Sequence, residues 1–355
     1  MKHLKKIGFC ALALLMSVLV SAQIVGGRQV YQFLTLPSSA RITALGGKLL
    51  SVQDDDVASA MFAPSLLQAS ASNVVSFNHH FHFASIRNGY VAYARHSEKL
   101  RLTWQASVQY ANYGKFDATD EYGVQNGTFS AADYSFLLGA AKKLTDHLSV
   151  GINLKLITSQ LESYRSSGLA TDASCTYNDP ESSLCATLAV QNLGTQLTTY
   201  VRGGQREALP FDVQFGVSKK LKHTPFRFSL TAHHLHQWNI RYADPDDAQA
   251  VVFLGDNAPS GSATSEWTDN LFRHLNFGAE ILLGKKENLQ LRFGYNHLRR
   301  RELSVENLKG LAGFSIGGGI KISRLRIDYG RAFYHLAGST NQLSVSTNLK
   351  DFGLK

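Results

Sequence analysis

The chain has 355 residues, a sequence pI near 9.4 and only 18% charged residues. This length suits one large β-barrel or two ordinary domains. Its lysines and arginines are scattered in ones and twos, unlike the basic stripe of a nucleic-acid-binding surface, so no nucleic-acid partner is expected.

The N-terminus has the pattern of an export signal. Lys2, Lys5 and Lys6 precede an apolar run from Ile7 to Val20, and small residues then end the segment at Ala22. This order predicts a cleaved signal peptide over residues 1–22. No later segment has the run of about 18 apolar residues that a transmembrane helix needs, so an exported β-protein is predicted.

Residues 23–71 do not alternate and are predicted to form a hatch or plug before the barrel. Asp54-Asp55-Asp56 precedes Val57, and Pro64 follows shortly after. Acidic residues at a helix start cap free amides, which favours a short capped helix over the alternative of a calcium loop. Gly46-Gly47 predicts a tight turn.

From residue 72 to 355 the chain alternates apolar and polar residues, which predicts β-strands with one apolar face. In one such segment the apolar positions are Leu148, Val150, Ile152, Leu154 and Leu156. Fourteen segments of this kind predict an all-β fold, a transmembrane antiparallel barrel of about 14 strands. They lie near residues 73–83, 89–96, 101–112, 133–142, 148–159, 168–177, 184–191, 211–219, 226–235, 273–284, 288–297, 310–322, 324–334 and 341–349.

The connections alternate between short and long, as periplasmic turns and extracellular loops do in outer-membrane barrels. The long ones are predicted at 113–132, 192–210, 236–272 and 298–309. This rhythm places the protein in the outer membrane with its long loops facing the cell exterior. The alternative is a soluble periplasmic β-sandwich, whose strands are usually shorter than the ~9–11 residues that cross a bilayer.

Charges of both signs share the polar face of the predicted strands, which indicates pairing inside the lumen and a blocked barrel. They are Arg101, Lys155, Asp212, Arg227, Glu280, Arg292, Lys321, Arg326 and Asp328. A charge on the lipid face would cost about 2–4 kcal/mol near the midplane, so this assignment of faces is favoured.

No motif indicates an enzyme, a cofactor or a metal. The clusters His79, His80, His82 and His233, His234, His236 could hold a metal, but they lack a patterned carboxylate and are interpreted as girdle or lumen histidines. Gly317-Gly318-Gly319 lacks a phosphate-loop lysine and is interpreted as strand glycine beside a plug. Cys175 and Cys185 fall on different faces, so a bridge would need a bulge; unpaired cysteines are the simpler interpretation.

Several motifs carry a resemblance to a known family. The segments YQFLTLPSSARITALGG, SVQDDDVASAMFAPSLL, LPFDVQFGVSKKL and PFRFSLTAHHL resemble the PorQ family of the type IX secretion system, over nearly the whole mature chain. The pattern ALGG, an acidic turn and a small-residue helix ending in Pro also resembles the FadL superfamily of hydrophobic-compound transporters. Ala63 stands where the FadL-like pattern usually has Asn before that Pro.

The PorQ resemblance implies a membrane anchor in the attachment complex of type IX secretion. Such an anchor holds a PorZ-like surface protein at the outer membrane, and through it a PorU-like sortase and a PorV-like barrel. The FadL resemblance implies the alternative, a passive transporter of hydrophobic small molecules.

The loop 236–272 is predicted to dock the surface partner. It carries the aromatics Trp238, Tyr242, Phe253 and Trp267 among aspartates, and aromatics are enriched at interface hot spots. The competing interpretation is that these aromatics pack within the loop or sit in the membrane girdle, which is favoured for Trp238 beside a strand end.

Overall fold

The computed structural model describes residues 29–83, 86–241, 263–303, 310–335 and 338–353. Within these ranges fourteen antiparallel strands form one closed barrel, in which each strand pairs with its sequence neighbours and β1 pairs with β14. The predicted 14-stranded fold is confirmed. The signal peptide predicted for residues 1–22 lies outside the described residues.

The strands are β1 (Val74–Phe81), β2 (Arg87–Ser97), β3 (Leu102–Thr119), β4 (Gln125–Lys143), β5 (Leu148–Leu161), β6 (Tyr164–Asp179), β7 (Leu184–Thr198), β8 (Asp212–Lys220), β9 (Phe226–Ala232), β10 (Leu275–Leu283), β11 (Leu289–Asn296), β12 (Phe314–Ile322), β13 (Leu325–His335) and β14 (Gly338–Asn348). The α-helices are α1 (Ala40–Ala44), α2 (Ala263–Arg273) and α3 (His297–Leu303). Single 3-10 turns occupy Gln32–Thr35, Val57–Met61, Pro64–Leu66, Ala69–Ala71 and Leu349–Phe352. None of the helices in the described part of the chain is long and apolar enough to span a membrane.

The two ends of the barrel differ in their connections. We call the end with the β7–β8, β9–β10 and β11–β12 connections the long-loop end, and the opposite end the short-turn end. The alternation of faces holds as predicted. In β5, Asn153 and Lys155 are buried inside the barrel, whereas Ile152, Leu154 and Leu156 each expose about half of their surface outward.

Of the predicted long loops, 113–132 is largely strand and 192–210 begins as strand. Residues 113–132 continue β3 and β4 to a tight turn at Asp120–Gly123, and β7 runs on to Thr198 within the segment 192–210. In β3 and β4 alternation failed to reveal the extensions because most positions on both faces are exposed there, so neither face requires apolar residues. A register shift at Asn112/Gly114 breaks the pattern further. In β7 a register shift opposite Thr171/Ala173 moves the buried positions from Gln191 to Asn192 and Gln196, which interrupts the alternation.

The segment before β1 fills the barrel, and we call residues 29–72 the plug. Helix α1 contacts β11 to β14, Val57–Met61 contacts β1 and β2, and Pro64–Leu66 contacts β4, β5 and β6. An apolar core including Ile42, Leu45, Met61, Phe62 and Leu66 packs against inward-facing barrel residues. The predicted plug is therefore present, in contact with most of the barrel wall.

Two glycines let the plug backbone touch the wall. A Cβ at Gly294 would lie 2.2 Å from the backbone nitrogen of Gly46, and a Cβ at Gly330 would lie 2.2 Å from the carbonyl oxygen of Ala40. Only glycine leaves room for so close an approach. Gly317 likewise faces Ala44 of the plug, as the interpretation of Gly317-Gly318-Gly319 predicted.

Candidate functional site

One side of the plug is fixed to the barrel by a charged cluster centred on Glu280 and Arg41. Both side chains are buried, and Arg41 binds the carboxylate of Glu280 through Nε at 3.0 Å and Nη2 at 3.1 Å. Arg227 and Arg292 bind the same carboxylate at 3.0 and 3.1 Å. This fork-to-fork geometry is the strong, directional form of the arginine–carboxylate pair.

The cluster continues along the wall and back to the plug. Arg292 binds Asp328 at 2.6 Å, and Arg326 binds the other oxygen of Asp328 at 3.0 Å. Arg41 also binds Asp54 of the plug at 2.6 Å. The charges of both signs that were predicted inside the lumen therefore pair, and Lys155 pairs with Asp172 at 2.8 Å elsewhere. Arg101 and Lys321, also assigned to this face, are exposed near the short-turn end.

The acidic triplet of the plug has divided roles. Burial raises the pKa of Asp54, but Arg41, Arg326 and Arg227 together outweigh burial and hold that pKa below its usual value. Burial, reinforced by Asp54, raises the pKa of Asp56. The Asp56 side chain accepts the backbone N–H of Ala58 at 3.0 Å, so the predicted cap is confirmed for the 3-10 turn Val57–Met61. Pro64 begins the next turn, Pro64–Leu66.

Inward-facing amides fasten the plug through its backbone. Asn153 donates to the carbonyl oxygens of Ala60 and Met61 at 3.0 and 3.1 Å, and Gln191 donates to that of Phe62 at 3.0 Å. Asn276 donates to Leu45 and Lys48, next to the Gly46-Gly47 turn, where both glycines have positive φ as the predicted turn requires. These bonds satisfy the carbonyls of an irregular segment inside the barrel.

A cavity of about 330 Å³ separates the plug from the long loops. Its apolar walls come from Pro210, Phe211, Leu298 and Leu303, and its charged walls from Lys48, Asp212, Arg299 and Glu302. This volume lies at the lower end of the usual range for small-molecule sites. The lining suits a molecule with an apolar body and a polar group.

Two histidines meet a carboxylate beside this cavity. Asp212, His233 and His234 place one ligand atom each within 4.8 Å of one another. Burial lowers the pKa of His233 well below its usual value and that of His234 to about 4, so both imidazoles are neutral at neutral pH. The sequence interpretation missed this group because Asp212 lies on another strand, 21 positions before His233 in the chain.

The other histidine cluster is divided between the two barrel faces. His80 is buried inside, whereas His79 on the outward face contacts the hydroxyl of Tyr110 at 2.8 Å. His82 lies beyond β1, with its ring centroid 5.5 Å from that of His80. The interpretation of His79 and His80 as girdle and lumen histidines agrees with this arrangement.

Two of the four aromatic residues predicted to dock a partner lie among the residues that the structure describes. Trp238 and Trp267 are about half exposed and their ring centroids lie 5.8 Å apart. Trp238 also stacks on His274 at 5.4 Å. Tyr242 and Phe253 lie outside the described residues. The structure thus unites two of the four aromatics in one exposed patch, and their contact with a partner stays a prediction.

Cys175 and Cys185 are unpaired. In the β6–β7 register, Cys175 is opposite Leu188 and Cys185 is opposite Asn178, so the two thiols are three pairs apart along the hairpin. The simpler interpretation of two unpaired strand cysteines is confirmed.

Arg41, at the centre of the charged cluster, was also not predicted from the sequence. It lies in the run SSARITALGG, which was noticed for its resemblance and its glycines. A single arginine among small and apolar residues in a buried segment was the available signal, because such a charge requires a partner.

The comparisons with known proteins identify the architecture. The toluene transporter TbuX of Ralstonia pickettii superposes with a TM-score of 0.51 at 12% identity, covering 88% of this chain and 97% of the transporter. The monoaromatic hydrocarbon channel CymD superposes with a TM-score of 0.50 at 11% identity, covering 88% of this chain and 96% of the channel. Family models and curated proteins gave no match.

At these identities the likeness concerns the fold alone. It shows that the chain shares the barrel architecture of these two proteins, and it leaves the resemblance to the FadL superfamily a prediction. It leaves the resemblance to the PorQ family a prediction. The two neighbours are described as a transporter and a channel, and the expectation that this chain is not an enzyme stays a prediction.

Proposed function

We propose that this chain is a gated outer-membrane barrel that admits a small hydrophobic molecule at the long-loop end and releases it past the plug. The long-loop end then faces the cell exterior, as longer loops do in outer-membrane barrels. Support comes from the architecture shared with the toluene transporter TbuX. This likeness favours transport over the surface-anchor interpretation.

The observation that carries the proposal is the cavity of about 330 Å³ between plug and loops. Plug residues Gly47 and Lys48 form one wall, and Phe211 and Leu298 of the loops form another. A molecule bound there rests directly on the plug. Because the plug contacts most of the barrel wall, passage requires the plug to shift.

A disulfide that locks the plug tests this requirement. A Cβ at Gly216 of β8 would lie 3.4 Å from the Cβ of Ser51, close to the 3.5–4.5 Å of natural disulfides. We expect Ser51→Cys/Gly216→Cys, made in a Cys175→Ala/Cys185→Ala background, to lose uptake when oxidised and to regain it with dithiothreitol. Uptake of radiolabelled toluene and of oleate is measured in cells without a carrier of their own.

The matched controls are the two single cysteine variants, which cannot form this lock and should transport under both conditions. Uptake by the unlocked barrel that equals the vector background would overturn the proposal for these probes. Uptake that survives full oxidation of the lock would show that the plug does not gate the path.

The surface-anchor hypothesis remains a second candidate because one wall of the barrel projects far beyond the rest. Strand β4 has 19 residues, about 60 Å of chain at strand spacing, whereas β9 has seven. The tip of the β3–β4 hairpin exposes Tyr122 by 84% and Val124 by 61%. An exposed tyrosine beside an exposed valine at a projecting tip suits docking of a PorZ-like surface protein.

Two exposed surfaces compete as the docking site under this hypothesis. Tyr122→Ser/Val124→Ser changes the hairpin tip, and Trp267→Ser changes the tryptophan patch, without altering an inward-facing residue. Retention of the partner on washed cells is measured, with barrel amount and heat-modifiability as controls. Loss in one variant assigns the docking surface, whereas full retention in both contradicts docking at either.

The locked barrel separates the two hypotheses. An anchor works with an immobile plug, so the oxidised Ser51→Cys/Gly216→Cys barrel keeps its surface partner. A transporter loses its activity in the same state.

A further inference from the structure

The backbone at the end of β9 brings two adjacent imidazoles to one side. Neighbouring side chains of an extended strand point to opposite faces. His234 instead has a φ of 55°, in the left-handed region that residues other than glycine seldom adopt. As a result the Nδ1 atoms of His233 and His234 lie 2.6 Å apart. Non-glycine residues in this conformation cluster at functional sites.

Asp212, the first residue of β8, completes the group. Its Oδ1 accepts the backbone N–H of His234 at 2.7 Å, and its Oδ2 accepts the side-chain amide of Gln214 at 2.6 Å. Asp212 is 5% exposed and His233 only 1%. The carboxylate is therefore held in place by its neighbours, as the carboxylates of metal sites are.

One ring nitrogen of the buried His233, Nε2, is itself buried and has no hydrogen-bond partner among the described residues. Buried polar side-chain atoms normally have a hydrogen-bond partner, so this nitrogen is available to a ligand. Two imidazole nitrogens and a carboxylate oxygen are a common ligand set of zinc and related ions.

We propose that Asp212, His233 and His234 bind a divalent transition-metal ion, with Zn²⁺ as the representative case, at the long-loop end of the barrel. All three residues line the cavity of about 330 Å³, so a further coordination position is open to a ligand from that cavity. The site shares this cavity with the proposed transport path, but metal binding is required by neither the transport nor the surface-anchor hypothesis.

Lys48 of the plug is expected to weaken the binding of a metal ion at this site. Its ammonium group lies 3.5 Å from Oδ2 of Asp212, and its side chain is 20% exposed. In the metal-free protein this ammonium balances the carboxylate, and it must move away when a cation binds. Removing the ammonium therefore strengthens metal binding, an effect that a merely structural histidine pair does not produce.

The experiment is a Zn²⁺ titration of the purified full-length barrel in detergent, without a histidine tag, against a chromophoric chelator. The unaltered protein should bind one Zn²⁺ per chain at this site. Asp212→Asn and His234→Gln should each lower the affinity for Zn²⁺ on the order of 100-fold or more. The control His223→Gln, in the exposed β8–β9 turn, should leave affinity unchanged, and Lys48→Met should raise it.

The unaltered protein also gives an answer that does not depend on the folding of variants. Cu²⁺ bound to it should show electron paramagnetic resonance couplings to two imidazole nitrogens. The absence of saturable Zn²⁺ binding, or of those couplings, overturns the site. So does Zn²⁺ affinity that is equal in Asp212→Asn, His234→Gln and the unaltered protein.

Discussion

The plug is held differently on the two sides of the barrel. Toward β9–β13 it is fixed by buried charges, with Arg41 and Asp54 of the plug joined to Glu280 and its arginines. Toward β1–β6 it is held by apolar packing of residues such as Met61 and Leu66, and by amides that bind its carbonyls. The buried ion pairs are stable only when every charged partner is present. The apolar packing and the amide hydrogen bonds instead add up many small contributions.

The two kinds of contact make different contributions to the position of the plug. A buried ion pair contributes little net stability, because desolvation offsets most of its attraction, but the loss of one partner is costly. Apolar burial stabilises in proportion to area and tolerates shifts. We infer that the charged side determines where the plug is seated and that the apolar side contributes most of the free energy of its binding.

The largest expected effect comes from Arg41→Ala. It leaves Glu280 and Asp54 without their plug cation, and breaking a buried pair in this way costs about 3–5 kcal/mol. We expect a lower free energy of unfolding in urea and a plug that becomes sensitive to protease in the isolated barrel. The control is Lys142→Ala, which removes a cation from an exposed position instead of a buried one. Equal stability of the two variants would mean that the charged side does not seat the plug.

Met61→Ala tests the apolar side. The side chain is 1% exposed, and its truncation leaves a cavity that costs about 2–5 kcal/mol. The effect should be smaller than that of Arg41→Ala, because no charge is left unpaired. Urea unfolding measures it, and protease resistance of the plug should persist in folded protein. A plug released as readily as in Arg41→Ala would refute the division of roles.

Gln109→Met removes one hydrogen bond between the barrel and the plug with little change in side-chain volume. Gln109 donates to the carbonyl oxygen of Phe33 at 2.8 Å, and the loss of such a bond costs about 1 kcal/mol. The change in unfolding midpoint should therefore be small but measurable. A loss comparable with that of Met61→Ala would indicate that the amides, and not the apolar core, dominate this side.

The smallest expected effect is an increase in stability, in contrast to the losses expected above. Because the pKa of Asp56 is raised in the folded state, its ionisation above the usual value of 3.8 favours unfolding. Asp56→Asn keeps a capping side chain and should be more stable than the unaltered protein at neutral pH. The gain should vanish as the pH falls below 3.8, which urea unfolding at a series of pH values measures. A loss of stability at neutral pH would contradict the assigned shift.

Sequence reasoning succeeded where the signal was local. The strands, the plug-like segment, the Asp56 cap and the paired charges of the lumen all follow from alternation or from adjacent residues. The predictions of loops over 113–132 and 192–198 were wrong, because β3 and β4 are exposed on both faces there and a register shift interrupts the alternation of β7. Sequence reasoning also missed Arg41, since nothing in the run ARITALGG indicates its partner.

The alternation of residues was enough to predict a barrel of about 14 strands and the side chains that point inward, because strand geometry repeats every two residues. Which of the inward-facing groups contact one another follows from the three-dimensional fold. Arg41 reaches Glu280 across 239 positions of sequence, and Asp212 of β8 reaches the histidines after β9. Such meetings depend on strand register and on the path of an irregular plug through the lumen, and neither leaves a periodic trace in the sequence.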